Sequence, residues 1–378
     1  MASFCLAAML HAPAALAASA FDRLYPASGD AIELAYPFGE LLADLSHKSG
    51  AAEIQTGFVP LGRSLHRYAA DPGYFSSPRL IAGVTGEGSS GIALKDRFYL
   101  GYQPASGAIE IISYDEALGR FVFEEVADYG PGKPGRLRQV EDAECAGCHQ
   151  AKGPIFAAAP WSESNANPAV VAKLGKSYQG VSVKRDFDGI DLFDRSTRRA
   201  NRLTAAAMLW QEGCASRPCR AALLGEALRF KLAPQGYGVE NTSFLPDLAA
   251  RWPQGLALAN SKIPDRDPVA MLAGAAEPSN VIEAAGVFNP ETPRAPLVLW
   301  TPGQDSAAGA VRLMAELLPP MELRPLDRTL HGANWLAARL REIAATDFAS
   351  PVLDGAPPSA EALALLTAYA LPAQGASP

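Results

Sequence analysis

Two thiols and one imidazole lie within five consecutive residues of the chain, at Cys145, Cys148 and His149. In this Cys-x-x-Cys-His spacing, each sulfur can bond one vinyl group of a porphyrin while the histidine ligates its iron. On one helical turn the two sulfurs reach both vinyl groups and the adjacent ring points at the metal. The motif therefore predicts one covalently bound haem.

Two other uses of a Cys-x-x-Cys pair have to be weighed against haem. A zinc site needs two more ligands at similar spacing, and the sequence contains no second Cys-x-x-Cys and no His-x-x-x-His. A redox-active disulfide usually follows a strand in a βαβ unit and lacks the trailing histidine. The histidine therefore favours haem over both.

These five residues resemble the haem segment of c-type cytochromes, a family that binds haem covalently and usually transfers single electrons. The resemblance covers the motif and the residues directly after it, not the whole chain. It implies that the Pro154 carbonyl accepts the Nδ1 hydrogen of His149, which would fix the ring and raise its basicity. It also implies that Phe156 and Trp161 pack against the haem, with ordinary core packing as the alternative.

The second axial position of the iron decides between an electron carrier and an enzyme. The sequence offers three candidate sixth ligands, Met208, Met321 and His66, and each has a plain structural alternative as a core or surface residue. His331 reads as a capping or packing residue, and His47 reads as a surface residue. A filled position predicts electron transfer, whereas an open one would admit a small molecule.

Two features of the sequence predict export. Residues 1–20 are apolar, rich in alanine and end in Ala18, Ser19 and Ala20, which is typical of a signal peptide cleaved before Phe21. The segment lacks the usual positive charge at its start, so a buried or interfacial helix is the alternative. Cys214 and Cys219 flank a proline turn and predict a disulfide in an oxidising compartment such as the periplasm.

Composition narrows the class of protein. The 378 residues carry a formal net charge of −7, which makes nucleic acid an unlikely partner, and 48% of them are hydrophobic, enough for large cores. No later segment is apolar enough to predict a membrane span. Four arginines follow a run of aspartates and are either partners for haem propionates or part of a solvated charged face: Arg195, Arg198, Arg199 and Arg202.

Hydrophobic periodicity predicts an α+β protein. Short strands rich in Ile, Val, Phe and Tyr are predicted at 79–85, 97–102, 108–114 and 120–126, where turn residues between them indicate a meander buried on both faces. Helices are predicted at 200–212, 220–232, 309–318, 332–347 and 359–371. The predicted organisation is a signal peptide (1–20), a β-rich domain (21–135), a cytochrome c-like helical haem segment (136–240) and a helical, loop-rich region packed on it (241–378).

The function predicted from these observations is that of an exported monohaem cytochrome, which transfers single electrons to or from a periplasmic redox protein. The alternative is a haem enzyme of peroxidase or oxygenase type, or a ligand sensor, with an open distal face.

Overall fold

The N-terminal half of the chain forms one antiparallel sheet of seven strands. The computed structural model describes residues 19–60, 75–141, 145, 149, 152–155, 164–232, 234–259, 296–318 and 353–355. The strands are β1 (Ala31–Ile32), β2 (Ile54–Val59), β3 (Arg79–Val84), β4 (Phe98–Gln103), β5 (Ala108–Asp115), β6 (Arg120–Ala127) and β7 (Gly135–Gln139). Their order in the sheet is β1-β7-β6-β5-β4-β3-β2, so β2 to β7 form an uninterrupted meander. The predicted α+β class with a β-rich N-terminal part is confirmed.

Both faces of this sheet are buried, as the apolar residues on both sides of the predicted strands indicated. Along β3, Leu80 and Val84 point to one face while Ile81 points to the other, because side chains alternate along a strand. The first face packs on helices α1 (Ala20–Leu24) and α2 (Phe38–Lys48). The second face packs on the helical region that follows the haem motif.

That helical region is built around one long helix. Helix α4 (Phe187–Met208) is preceded by a short helix, α3 (Pro168–Val171), and continues into a π-helical turn, Leu209–Gly213. The remaining described elements are α5 (Arg217–Leu232), α6 (Leu245–Arg251), α7 (Ser306–Ala315) and two small hairpins, β8 (Ser177–Tyr178) with β9 (Val181–Ser182) and β10 (Leu256–Leu258) with β11 (Leu297–Trp300). Within the described ranges, no helix is both long enough and apolar enough to cross a membrane.

Helix α4 begins 13 residues before the start predicted at residue 200, since its first residue is Phe187. Its start is fixed by Asp186, whose carboxylate accepts a hydrogen bond from the Gly189 amide at 3.1 Å. Asp188 and Arg195 are exposed on the outer side of this helix, whereas Ile190 and Phe193 on the inner side are buried. Asp194 is the exception among the charged residues, because it is buried at 1% exposed and pairs with Arg198. Most of the charged run therefore lies on the outer side of an amphipathic helix.

Glycines on two neighbouring strands let α4 approach the sheet closely. A Cβ atom at Gly57 of β2 would lie 2.7 Å from Cδ1 of Ile190, and one at Gly83 of β3 would lie 3.0 Å from Cε2 of Phe193. Real Cβ atoms do not approach other carbons so closely. The absence of side chains at these two positions thus sets the distance between helix and sheet.

A buried carboxylate links the other face of the sheet to the start of the described chain. Glu124 of β6 is 1% exposed and accepts hydrogen bonds from the Ser113 hydroxyl (3.1 Å), the Gln139 amide (2.8 Å) and the Ser19 hydroxyl (2.9 Å). Burial raises the pKa of Glu124 to about 7, and the nearby charge of Asp22 acts in the same direction. The three hydrogen bonds favour the charged form and oppose this shift.

We expect Gly83→Ala to destabilise the protein because the new methyl group would meet both Phe193 and Cδ1 of Tyr99, the latter at 2.9 Å. The free energy of unfolding in urea should fall by about 1–3 kcal/mol. Gly238→Ala is the matched control, since a Cβ there has no atom within 4 Å. Equal stability of the two variants would contradict close packing of α4 on the sheet.

Glu124 should make the stability of the full 378-residue chain depend on pH. Its pKa is about 7 in the folded chain against an ordinary 4.5, so between these values the folded state binds the extra proton and stability falls as pH rises. The loss is roughly 3 kcal/mol at most and is complete above pH 7. Urea unfolding at several pH values should show this slope, and Glu124→Gln should flatten it.

Glu33→Gln is the control for this measurement, because Glu33 is exposed and its replacement should leave the slope unchanged. A slope that persists in the Glu124→Gln variant would assign the pH dependence to another group.

Candidate functional site

The residues directly after the Cys-x-x-Cys-His motif lie between the sheet and α4. A Cβ atom at Gly153 would be 3.6 Å from Cδ2 of Phe121 on β6, 3.3 Å from Oδ1 of Asn201 and 3.7 Å from Oγ1 of Thr204, both on α4. Pro154, the next residue, is buried. The segment that follows His149 is therefore held on two sides by the main elements of the fold.

The His149 ring is oriented by a bond to the backbone. Its Nδ1 lies 2.8 Å from the carbonyl oxygen of Gly153, and the chain between them makes a tight turn in which the Lys152 amide donates to the His149 carbonyl at 2.8 Å. Lys152 has a φ of 54°, in the left-handed region that such turns require. With Nδ1 donating its hydrogen to Gly153, Nε2 is the ring atom that carries the lone pair.

The prediction that Pro154 supplies the acceptor is wrong by one residue. The Pro154 carbonyl points to α4, where it accepts a hydrogen bond from Nδ2 of Asn201 at 2.8 Å. The turn at Lys152 brings the Gly153 carbonyl, rather than the next one, back to the imidazole. Pro154 therefore anchors the segment to the helix, and the Gly153 carbonyl orients the ring.

The surroundings of His149 favour a neutral ring. Although part of the residue remains accessible, the ring lies against Phe123 of β6, with 5.2 Å between ring centroids. Burial lowers the pKa of His149, the bond to Gly153 acts in the opposite direction, and the positive charge of Arg79 lowers it further. A neutral imidazole is the form that can bind a metal.

Cys145 lies one helical turn before His149, as attachment of haem requires. The His149 amide donates to the Cys145 carbonyl at 2.8 Å, and Cys145 is partly exposed. Several residues of the sequence analysis lie outside the described residues. They are the second attachment cysteine Cys148, the predicted haem-packing residues Phe156 and Trp161, the candidate sixth ligands Met321 and His66, and also His331.

Met208 is the one predicted sixth ligand that the structure describes. It is the last residue of α4, partly buried, and it packs against the core on the second face of the sheet. It follows Asn201 by seven residues and Thr204 by four, so the three lie on the same side of the helix. That side of α4 contacts Gly153 and Pro154.

The four arginines of α4 all contact carboxylates of the protein. The pairs are Arg195 with Asp191 (3.1 Å), Arg198 with Asp194 (3.1 Å), Arg199 with Asp96 (2.6 Å) and Arg202 with Glu316 (3.1 Å). Arg199 makes two parallel bonds to Asp96 and ties α4 to the segment before β4. All four arginines therefore form ion pairs within the protein.

Arg79 and Glu110 form another ion pair beside the haem segment. Arg79 lies at the start of β3, its guanidinium passes over Gly101 of β4, and it contacts the Glu110 carboxylate of β5. Both charges act on His149. The positive charge of Arg79 therefore acts on the His149 imidazole.

The described residues fit a covalently attached haem. They supply an imidazole that is oriented through Nδ1 and whose pKa is lowered by burial, and a cysteine one turn before it. Asn201 Oδ1 and Thr204 Oγ1 are buried, have no hydrogen-bond partner among the described residues and flank Gly153. No group of three or more His, Cys, Asp or Glu within the described ranges could hold a bare metal ion, but a porphyrin supplies four iron ligands itself.

Sequence reasoning missed Phe123 as a contact of the ring and Asn201 as the anchor of Pro154. Nothing in the sequence distinguishes Phe123 from the other aromatic residues of the predicted strands. Asn201 carried a usable signal, because it lies two residues before the mostly apolar run 203–209 of the predicted helix. A polar side chain beside such a run is expected to be buried and to need a hydrogen-bond partner.

Asn201→Ala should destabilise the protein, because it leaves the Pro154 carbonyl without its hydrogen bond in a fully buried position. The expected loss in the free energy of unfolding is about 1–3 kcal/mol, measured in urea. Arg195→Ala, on the solvent side of the same helix, is the control and should change stability by less than about 0.5 kcal/mol. An unchanged Asn201→Ala variant would show that the anchor is unimportant.

Compared with known proteins, the chain matches no family model, no curated protein and no solved structure. The link to c-type cytochromes therefore rests on the motif residues and on the geometry around His149.

Proposed function

We propose that this chain is an exported monohaem c-type cytochrome. In this proposal Cys145 and Cys148 form the two thioether bonds to one haem c, and His149 is the proximal iron ligand. The observation that carries the proposal is the 2.8 Å contact between Nδ1 of His149 and the Gly153 carbonyl. It leaves Nε2 as the ligand atom, in a ring whose orientation the backbone holds.

Bound haem would supply a reversible one-electron change at its iron. The residues of this chain would hold the ligand and set its surroundings. The Gly153 carbonyl would keep the hydrogen on Nδ1, which makes Nε2 a better donor to iron. Phe123 would cover one side of the ring and exclude water there. The pair of Arg79 and Glu110 would set the local charge.

The disulfide supports the exported location that this function requires. Cys214 and Cys219 are bonded to each other, and the bond joins the end of the π-helical turn to the start of α5. Both cysteines are buried, at 0% and 3% exposed. Disulfides of this kind persist in oxidising compartments such as the periplasm, where covalent haem attachment would also take place.

The electron partner in this proposal is another periplasmic redox protein. A single haem motif in 378 residues favours a carrier of one electron over an enzyme that needs two haems. A haem enzyme of peroxidase or oxygenase type would instead need an open face on the iron, and the spectroscopic test below distinguishes the two.

His149→Ala should abolish or strongly reduce covalent haem in the purified protein, because attachment uses the histidine as iron ligand. The measurement is haem staining after denaturing electrophoresis, together with intact mass. His47→Ala is the matched control, since His47 is exposed on α2 and its loss should leave haem content unchanged. A wild-type chain free of haem despite working maturation would overturn the proposed function.

If a side chain fills the sixth position, carbon monoxide should leave the absorption bands of the reduced protein unchanged. A shifted Soret band in the wild type would favour the enzyme or sensor instead. The variants Met208→Leu, Met321→Leu and His66→Ala, tested singly, should identify the ligand, because only its loss lets carbon monoxide bind. Met314→Leu, a fully buried core methionine of α7, is the control.

A further inference from the structure

Ser19 is part of the folded domain, although it lies within the segment predicted to be a signal peptide. Its side chain is 2% exposed and forms the N-terminal cap of α1. The Asp22 amide donates to Oγ of Ser19 at 3.0 Å, and the Ser19 amide donates to Oδ2 of Asp22 at 3.0 Å. This reciprocal capping box fixes the first turn of the helix.

Ser19 also contacts the sheet. Its hydroxyl donates to Oε2 of Glu124 at 2.9 Å, a contact that spans 105 positions of the chain. Ala20 beside it is 4% exposed and belongs to the core between α1 and the sheet. Removing the chain up to Ala20 would therefore leave the Asp22 amide without its cap and take one of three donors from a buried carboxylate.

Several triplets near the end of the leader satisfy the small-x-small rule, and one of them ends three residues upstream of Ala20. A cut after Ala14 would leave a leader shorter than the usual length of roughly 15–30 residues, and a cut after Ser19 would remove the cap of α1. Ala15, Leu16 and Ala17 satisfy the same small-x-small rule as Ala18, Ser19 and Ala20. A cut after Ala17 keeps every contact of Ser19 and Ala20. A cut after Ala20 removes them all.

We infer that the leader is removed between Ala17 and Ala18, so that the mature chain begins one residue before the cap of α1. The inference rests on the export that the proposed function includes. The reaction is hydrolysis of one peptide bond by a leader peptidase: water adds across the amide, Ala17 leaves as a carboxylate, and Ala18 retains the nitrogen as an ammonium group.

The charge around Ser19 supports this position. Asp22 and Glu124 both contact Ser19, and among the described residues neither forms an ion pair. A cut after Ala17 would create an ammonium group on Ala18, the residue that precedes Ser19 in the sequence. The cut would thus add a positive charge on the residue before Ser19, which itself contacts both carboxylates.

The test is the N-terminus of the exported protein. The full chain is produced in a Gram-negative host that exports proteins and attaches haem, and the mature N-terminal peptide is identified by mass spectrometry. We expect a start at Ala18. A start at Phe21 would overturn the inference. The Ser3→Lys variant adds the positive charge that the leader lacks, and the inference is also overturned if both this variant and the wild type stay uncleaved.

Two substitutions separate the two sites. Ala17→Leu should block the cut before Ala18 because a large residue occupies the last leader position, whereas Ala20→Leu should leave the start at Ala18. The reverse pattern would assign the cut to Ala20. The peptide is read from denatured extracts, so a folding defect in either variant does not affect the result.

Docking of the new N-terminus gives an independent readout. A chain that begins at Ala18 should melt at a higher temperature than one that begins at Phe21, because only the first retains the Ser19 contacts. Equal melting temperatures would overturn the role of Ser19. Haem content is measured separately, so a chain that starts at Ala18 but lacks haem contradicts the proposed function and leaves this inference intact.

Discussion

The hydrogen bond between His149 and the Gly153 carbonyl depends on much of the fold and organises the candidate site. It requires a turn with Lys152 in the left-handed region, and it requires the next carbonyl, that of Pro154, to be held away from the ring by Asn201. Asn201 can do this because α4 lies close to the sheet. The orientation of one imidazole is therefore set by packing between a helix and a sheet.

That packing depends on glycines of the sheet, which have no side chain. Gly57 and Gly83 lie on the face toward α4 and leave room for Ile190 and Phe193, while Gly101 leaves room for the Arg79 side chain. On the opposite face large apolar residues meet α1 and α2. A seven-stranded sheet buried on both faces gives the segment after His149 a closely packed support.

Buried charge is handled in two ways in this protein. On the side of α4 and α5 the charges are paired, as in Arg199 with Asp96. Arg229 and Glu226 form a second such pair, and each of these two side chains is 2% exposed. On the side of α1, Glu124 is held by neutral donors and its pKa is raised. Ser19, the cap of α1, meets the sheet at this carboxylate.

The sequence alone determined the α+β class, the meander and its burial on both faces, because these follow from local periodicity. The spacing of Cys145, Cys148 and His149 likewise predicts haem attachment, and this stays a prediction. The sequence did not determine the start of α4, the carbonyl that orients His149, or the placement of Ser19 in the core. Those depend on contacts between residues far apart in the chain, such as Asn201 with Pro154 and Ser19 with Glu124. Only the tertiary structure brings such pairs together, because no local pattern encodes which buried donor will meet which acceptor.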